Sequence, residues 1–237
     1  MNDLKIIGGR VVTFQGGPIK GSCMDSPLVL ENTNIIIDDG YITAIDSDKP
    51  AKKTIDAKGK LVIPGFVDCH THLVFAGSRE DEFEKRLKGV SYQEIAREGG
   101  GILSTVRATR NADRNTLIQL AKKRLDFALS WGTTTIEIKS GYGLSTEDEL
   151  KMLEVIDELK KTSYQTIVPT FLGAHEFPPD RKREEYIDEI LNEMIPCIAK
   201  RGLARFIDVF CEDGVYTKEE TRRILLKGRE FGLLPKI

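Results

Sequence analysis

Leu61-Val-Ile-Pro-Gly-Phe-Val-Asp-Cys-His-Thr-His72 is the stretch of sequence that says most about the fold. Its apolar, β-branched run predicts a strand that ends in Asp68, His70 and His72. Side chains alternate between the two faces of a strand, so these three would point the same way and Cys69 would point the other. Two imidazoles at this spacing can bind one cation, and an acidic neighbour can orient them. The stretch therefore predicts a metal site at a strand end.

The alternative is a histidine pair with no metal, because His-x-His is common by chance and core or surface histidines need no ligand. Context favours the metal. His70 and His72 are two of only three histidines in the chain. The third, His175, also follows a predicted strand, so all three would lie at one rim, where a parallel barrel places its chemistry.

Composition indicates an ordinary globular protein. The chain has 237 residues, 40% of them hydrophobic and 30% charged, with a net charge of −2, which gives no electrostatic reason to bind nucleic acid or an anionic membrane. The four cysteines are widely spaced, as is typical of reduced thiols in a cytosolic protein. With no apolar signal segment and no run near the roughly 18 residues of a membrane span, we expect a cytoplasmic protein.

Two regions differ in pattern. Residues 1–60 contain short β-rich runs and turns, including a loop at Gly16-Gly17-Pro18 and a hairpin turn at Asp39-Gly40, and they predict a small β-module. Residues 61–237 alternate strands with helices, which predicts about four β/α units in a parallel sheet. From the pattern alone, the sheet is either open and doubly wound or part of an incomplete barrel.

The predicted elements of the second region can be given by their bounds. Strands are predicted at 133–139, 165–172 and 206–211, helices at 115–129, 146–160, 183–200 and 218–230, and the start of a fifth strand near residue 233.

Other candidate residues follow strand ends. Tyr142 lies between glycines that could present its phenol to a cleft, although a purely structural turn is the more common case. Arg79 follows the histidine pair closely enough to bind a substrate carboxylate, unless it forms a surface ion pair with its acidic neighbours. Glu212 and Asp213 could bind a cation, but we favour a role in capping the next helix and its turn. Gly99-Gly100-Gly101 lacks the rest of a phosphate loop.

Several motifs resemble a known enzyme family. Pro64-Gly-Phe-Val-Asp-Cys-His-Thr-His72 resembles the opening strand of the amidohydrolase superfamily, which comprises metal-dependent hydrolases on a (β/α)8 TIM barrel with a companion β-sandwich. The motifs that follow it resemble the imidazolonepropionase family, in the same order along the chain: residues 72–80, 99–105, 132–135, 139–143 and 173–175.

The resemblance implies an α/β fold in which residues 1–60 form the N-terminal part of a β-sandwich. Residues 61–237 would then form the first half of the barrel, truncated after about four β/α units. A full-length member would continue beyond Ile237 with further metal ligands and the general acid/base, so no catalytic residue is expected within this chain.

The resemblance also implies an activity and a site. The reaction is hydrolysis of the cyclic amide of 4-imidazolone-5-propanoate to N-formimidoyl-L-glutamate. One zinc or iron ion would be held by His70 and His72, Arg79 would bind the propionate carboxylate, and Tyr142 and His175 would contact the ring. Members of the family are often homodimers.

Two alternatives stay open at this point. One is another mononuclear amidohydrolase or deaminase acting on a cyclic amide or nucleobase; residues 206–211 contain no lysine of the kind that bridges two metals, which favours one metal. The other is an inactive fragment that binds a partner or folds poorly.

Overall fold

The chain divides after Gly65 into two units, Met1–Gly65 and Phe66–Ile237. The structure is a computed structural model, and it describes residues 1–14, 20–91, 94–95 and 99–237. The loop predicted at Gly16-Gly17-Pro18 lies outside the described residues. The first unit ends at Gly65 rather than at residue 60, because Leu61–Val62 pairs with the first strand of that unit.

The first unit contains a five-stranded mixed sheet. Strands β2 and β3 form the hairpin predicted at Asp39-Gly40, where both residues take the left-handed φ angles that such a turn requires. In the sheet β1 pairs antiparallel to β2 and parallel to β4 and β5. The strands are β1 (Asn2–Thr13), β2 (Leu28–Asp38), β3 (Tyr41–Ile45), β4 (Ala51–Asp56) and β5 (Leu61–Val62).

The second unit is built on a parallel sheet whose order, β10-β9-β8-β7-β6, follows the order of the chain. A doubly wound sheet reverses its strand order at a switch point, and this sheet does not. Each new strand is added on the same side of the one before. The strands are β6 (Phe66–Asp68), β7 (Thr133–Lys139), β8 (Thr166–Ala174), β9 (Phe206–Val209) and β10 (Leu234–Pro235).

Helices connect these strands, and two of them, α1 and α2, were not predicted from the sequence. The helix predicted at 183–200 is interrupted by a π-helical turn at Ile190–Met194. Of the helices in the described part of the chain, none is long and apolar enough to cross a bilayer. The helices are α1 (Glu80–Leu87), α2 (Ile102–Asn111), α3 (Arg114–Ser130), α4 (Thr146–Thr162), α5 (Arg183–Glu189), α6 (Ile195–Arg201) and α7 (Lys218–Glu230).

The two faces of the parallel sheet are both buried but differ in chemistry. Ile136 and Ile138 of β7 belong to the apolar core of the second unit. Glu137 and Lys139, which alternate with these isoleucines along β7, point to the other face. There they are also almost inaccessible to solvent. Alternating charges in a strand usually indicate a solvent-exposed face, so this burial could not be predicted from the sequence.

An ion network neutralises the charges on that second face. The Lys139 ammonium lies 3.4 Å from a carboxylate oxygen of Glu137 and contacts the carboxylate of Asp208 on β9. Lys236 donates to Glu137 over 2.7 Å, and Thr170 donates to the same carboxylate. Two ammonium groups thus face two carboxylates, which is what buried charges require.

The N-terminus of α7 is capped by Thr217, whose hydroxyl accepts from the backbone N–H of Glu220 at 3.2 Å. We expected Glu212 and Asp213 to cap this helix. They lie in the turn before it and do not cap it. Arg183 donates to both carboxylate oxygens of Glu220, at 2.5 and 2.6 Å. This hydrogen bonding lowers the pKa of Glu220 to about 2.

The Glu220→Gln substitution should therefore reduce the acid sensitivity of the protein. Because the pKa of Glu220 is lower in the folded state than the ordinary 4.5, its contribution of about 1–2 kcal/mol is present above pH 4.5 and is lost as the pH falls toward 2. Urea unfolding between pH 6 and pH 3 would measure the change. Glu219→Gln, at an exposed neighbour, is the control; equal pH dependence for the two variants would contradict the prediction.

Candidate metal and substrate site

The histidine pair follows the end of β6 rather than lying within it. The strand ends at Asp68, so the alternation of side chains along a strand does not place His70 and His72, contrary to our expectation. Asp68 accepts a hydrogen bond from the backbone N–H of His70 at 3.2 Å, which turns the chain out of the strand. The ring centroids of the two histidines are nonetheless 5.6 Å apart.

Thr71, between the two histidines, ties this segment to β7. Its hydroxyl donates to the carbonyl oxygen of Glu137 at 2.5 Å, and its own carbonyl oxygen accepts from the backbone N–H of Lys139 at 2.9 Å. Two hydrogen bonds of Thr71 therefore fix the His-Thr-His segment to the neighbouring strand. Such anchoring is what a preorganised ligand pair needs.

The three histidines of the chain meet, as the strand-end argument predicted. His72 stacks on His175 with ring centroids 4.7 Å apart and an interplanar angle of 14°. The ring of Tyr142 lies 5.2 Å from that of His72 and 5.3 Å from that of His175. Four of the five residues proposed from the sequence thus form one cluster, and Tyr142 is not merely part of a turn.

Burial keeps the inner histidines uncharged. It lowers the pKa of His72 to about 3, with the nearby rings of His175 and His70 adding to the effect. It also lowers the pKa of His175, against an opposing hydrogen bond to Gly141. The Nδ1 of His175 lies 2.8 Å from the carbonyl oxygen of Gly141. Because a carbonyl only accepts, Nδ1 carries the proton in the neutral ring and Nε2 keeps its lone pair.

The residues present fit a metal ion in part. The Nδ1 of His72 is buried and has no hydrogen-bond partner among the described residues, an arrangement that proteins rarely leave uncompensated. A neutral imidazole is also the form that binds a metal. In the described ranges, however, no three His, Cys, Asp or Glu residues are grouped to hold an ion together. His70 and His72 thus offer part of a ligand set.

A cavity of about 490 Å³ lies beside the cluster. Arg79 and Tyr142 line it, together with Phe75 and Arg124. Arg79 is exposed, and no ion pair joins its guanidinium to a described residue, including its acidic neighbours. The surface ion pair considered as the alternative is therefore not formed there, and the guanidinium is available to an anion in the cavity.

Arg124 of α3 also lines this cavity, and its role was not predicted from the sequence. Its guanidinium lies 3.6 Å from the centre of the Phe75 ring and donates to the carbonyl oxygens of Leu73 and Phe75 at 2.7 and 2.8 Å. It thereby fixes the chain between the histidine pair and Arg79. An arginine in the middle of an amphipathic helix usually faces solvent, so the sequence held no signal for this role.

Comparison with known proteins gives consistent matches. A model of the Amidohydrolase family matches residues 53–97. The imidazolonepropionase of Thermoanaerobacter pseudethanolicus is 50% identical over 225 residues, which are 93% of this chain and 54% of the relative. That of Symbiobacterium thermophilum is 48% identical over 99% of this chain and 58% of the relative. The chain spans about half the length of the curated relatives it matches.

Solved structures support the fold. A 5-methylcytosine deaminase from Klebsiella pneumoniae superimposes with a TM-score of 0.63 over 98% of this chain and 50% of its own, at 16% identity. An atrazine chlorohydrolase from Arthrobacter aurescens, crystallised with zinc, gives a TM-score of 0.58 over 98% of this chain and 52% of its own, at 17% identity. The resemblance to amidohydrolases expected from the sequence is confirmed at the level of the fold.

Proposed function

We propose that this chain, which is related to the imidazolonepropionases over nearly its whole length, carries the metal-binding histidines and the substrate-binding residues of such an enzyme. The reaction would be hydrolysis of the cyclic amide of 4-imidazolone-5-propanoate to N-formimidoyl-L-glutamate. The observation that supports it most strongly is the 45–50% identity to enzymes of this name over 93–99% of the chain. Identity at this level usually preserves the residues that contact substrate.

The sheet of the second unit is, in this proposal, the first arc of a (β/α)8 barrel. Its sequential, all-parallel strand order is the order that a barrel requires. The sheet of the first unit would belong to a β-sandwich. The chain spans about half of its relatives' length, so we propose that the general acid/base and further metal ligands come from the part that it does not span.

His70 and His72 would hold one zinc or iron ion, since neutral imidazole suits both metals. The chemistry that such an ion supplies is activation of water and polarisation of a carbonyl near neutral pH. Thr71 keeps the two rings in place through its contacts with β7. The buried, unpartnered Nδ1 of His72 is the observation in this chain that supports a ligand there.

Arg79, Tyr142 and His175 would orient the substrate. The guanidinium of Arg79 can hold the propionate carboxylate through two parallel hydrogen bonds. Nε2 of His175, which has a lone pair because Nδ1 donates to Gly141, can accept a ring N–H of the substrate. Tyr142 lies against the stacked histidines and lines the cavity, so its phenol can approach the same ring. Fixing both ends of a small anion in this way favours reaction.

The test is turnover by the protein purified together with the part that this chain does not span and supplied with zinc or iron. Three substrates are compared in parallel: 4-imidazolone-5-propanoate, dihydropyrimidines and cytosine. We expect hydrolysis of the first alone. Turnover of a dihydropyrimidine or cytosine in its place would favour another amidohydrolase. No turnover, together with no stoichiometric metal, would favour an inactive fragment. A homodimer and a cytoplasmic location stay predictions, as does the expectation that nucleic acid and membranes are not partners.

Arg79→Met should raise the KM for 4-imidazolone-5-propanoate by roughly 100-fold, because it removes a charge-assisted bidentate contact and leaves the metal ligands untouched. Steady-state kinetics would measure KM and kcat separately. Arg86→Met is the matched control, since Arg86 is an exposed arginine of α1, the helix that begins directly after Arg79. An equal KM for the two variants would rule out Arg79 as the carboxylate ligand.

A further inference from the structure

The loop at residues 141–144, which carries Tyr142 and which we call the tyrosine loop, is held by a buried carboxylate. Glu149 of α4 accepts hydrogen bonds from the backbone N–H groups of Gly141 at 3.0 Å, Gly143 at 2.8 Å and Leu144 at 3.0 Å. Its side chain has no accessible surface. In the sequence it is the third acidic residue in the first turn of a helix, where acidic residues ordinarily face solvent and favour the helix dipole.

An arginine binds the carbonyl groups of the same loop. Arg110 of α2 donates through Nε to the carbonyl oxygen of Gly143 at 2.6 Å and through a terminal nitrogen to that of Leu144 at 2.7 Å. Glu149 thus binds the amide groups of the loop, and Arg110 binds its carbonyl groups. The guanidinium of Arg110 is charged, and charge-assisted hydrogen bonds are the stronger kind.

The loop needs this support because its backbone is in an unfavourable conformation. Leu144 has a φ of 52°, in the left-handed region, where a residue with a Cβ is destabilised by about 1–2 kcal/mol. Gly141 has a φ of 109°, which favours glycine. Without Glu149 and Arg110 the chain would relax toward a different turn, and Tyr142 would move with it.

Gly141 connects this arrangement to the cluster of rings. Its N–H donates to Glu149, and its carbonyl oxygen accepts from His175. The next residue is Tyr142. We propose that Glu149 and Arg110 are positioning residues, which act through the tyrosine loop to set the place of the Tyr142 phenol and the tautomer of His175. The catalytic side of this inference rests on the proposed function; the structural side does not.

The Glu149→Gln variant tests this selectively. A carboxylate offers two acceptor oxygens to three N–H groups, whereas the amide of glutamine offers one oxygen and a donor. The oxygen can continue to serve Gly143 and Leu144, as Oε1 does now, and the NH2 group then faces the N–H of Gly141. The damage is therefore directed at the residue that holds His175.

The experiment uses the whole chain and two readouts. Because the protein has three histidines, imidazole ¹⁵N NMR reports the tautomer of His175 and the exchange of its Nδ1 proton without any substrate. We expect Glu149→Gln to shift the His175 signals and to speed exchange of that proton by roughly 10-fold. In the protein that includes the part this chain does not span, kcat/KM should fall by roughly 10–100-fold. Arg110→Lys keeps the charge but replaces the rigid fork of the guanidinium by a single ammonium on a flexible stem, so we expect a smaller change in the same direction.

Glu147→Gln is the matched control, because it removes the same charge from an exposed position in the same helical turn. Its His175 signals and kcat/KM should equal those of the unmodified protein. A Glu149→Gln variant that melts earlier but keeps both readouts would overturn the proposal and leave Glu149 a merely structural residue.

If Glu149→Gln does not fold, Arg110→Lys decides the question: unchanged His175 signals in a folded Arg110→Lys protein would overturn the proposal. If the unmodified protein does not hydrolyse 4-imidazolone-5-propanoate, the proposed function fails, whereas the NMR readout still supports or overturns the positioning of His175.

Discussion

The His72→Asn variant should lose stoichiometric metal and retain at most about 0.1% of the turnover of the unmodified protein. His72 is one of the two proposed ligands, and its ring stacks on that of His175 with a buried Nδ1 that has no hydrogen-bond partner among the described residues. Removal of a group that activates water and stabilises transition-state charge typically lowers kcat by about 1,000-fold or more. Metal analysis and single-turnover kinetics on the same sample would measure both effects.

His175→Asn is the informative comparison. We expect this variant to keep its metal and to lose affinity for substrate, because His175 is assigned to the substrate and not to the ion. A His72→Asn protein that still holds about one metal per chain would show that the ion is bound elsewhere. Loss of metal in both variants would mean that His175 is a ligand.

The Gly143→Ala variant should be destabilised by about 2–4 kcal/mol. A Cβ at this position would lie 2.5 Å from the backbone nitrogen of Glu149 and 2.6 Å from the carbonyl carbon of Asp148. These are backbone atoms at the start of a helix and cannot rotate away, so the tyrosine loop must move. Urea denaturation would give the free energy of unfolding, and the KM for substrate should rise with the displacement of Tyr142.

Gly202→Ala separates steric overlap from backbone strain. Gly202 has a φ of 64° with no atom within 4 Å of the added Cβ, so its replacement should be destabilising by only about 1 kcal/mol. Equal urea midpoints for the two variants would mean that the loop at Gly143 can accommodate a Cβ beside α4 without steric overlap.

The sequence predicted best those elements whose signals are local. The predicted bounds of β7 (Thr133–Lys139) and α7 (Lys218–Glu230) agree with the structure. A β-branched run after Gly132 defines the first. Helices α1 and α2 were missed because they are short, with 8 and 10 residues, and no side chain caps either one. The end of β6 at Asp68 was also missed, since it depends on the hydrogen bond that the Asp68 carboxylate accepts from the backbone of His70 and on the hydrogen bond that Thr71 donates to β7.

The meeting of the three histidines could be predicted because it follows from a topological rule: carboxyl ends of parallel strands share one rim. The supporting residues could not. Arg110 reaches a carbonyl 33 positions away, and Lys139 contacts an acid 69 positions away. Such contacts leave no periodic pattern in the sequence, and each of these charges is compatible with a solvated surface until the fold is known.

The ion network on the inner face of the sheet also has a consequence for the order of folding. Lys236 reaches Glu137 across 99 positions, so their contact forms only after the strands between them have been placed, since closure of a long loop carries an entropic penalty. Until then the carboxylate of Glu137 is paired with Lys139 alone, while the folding chain removes it from water. The charges on this face are therefore balanced only when β10 docks, so this part of the sheet gains its stability late in folding.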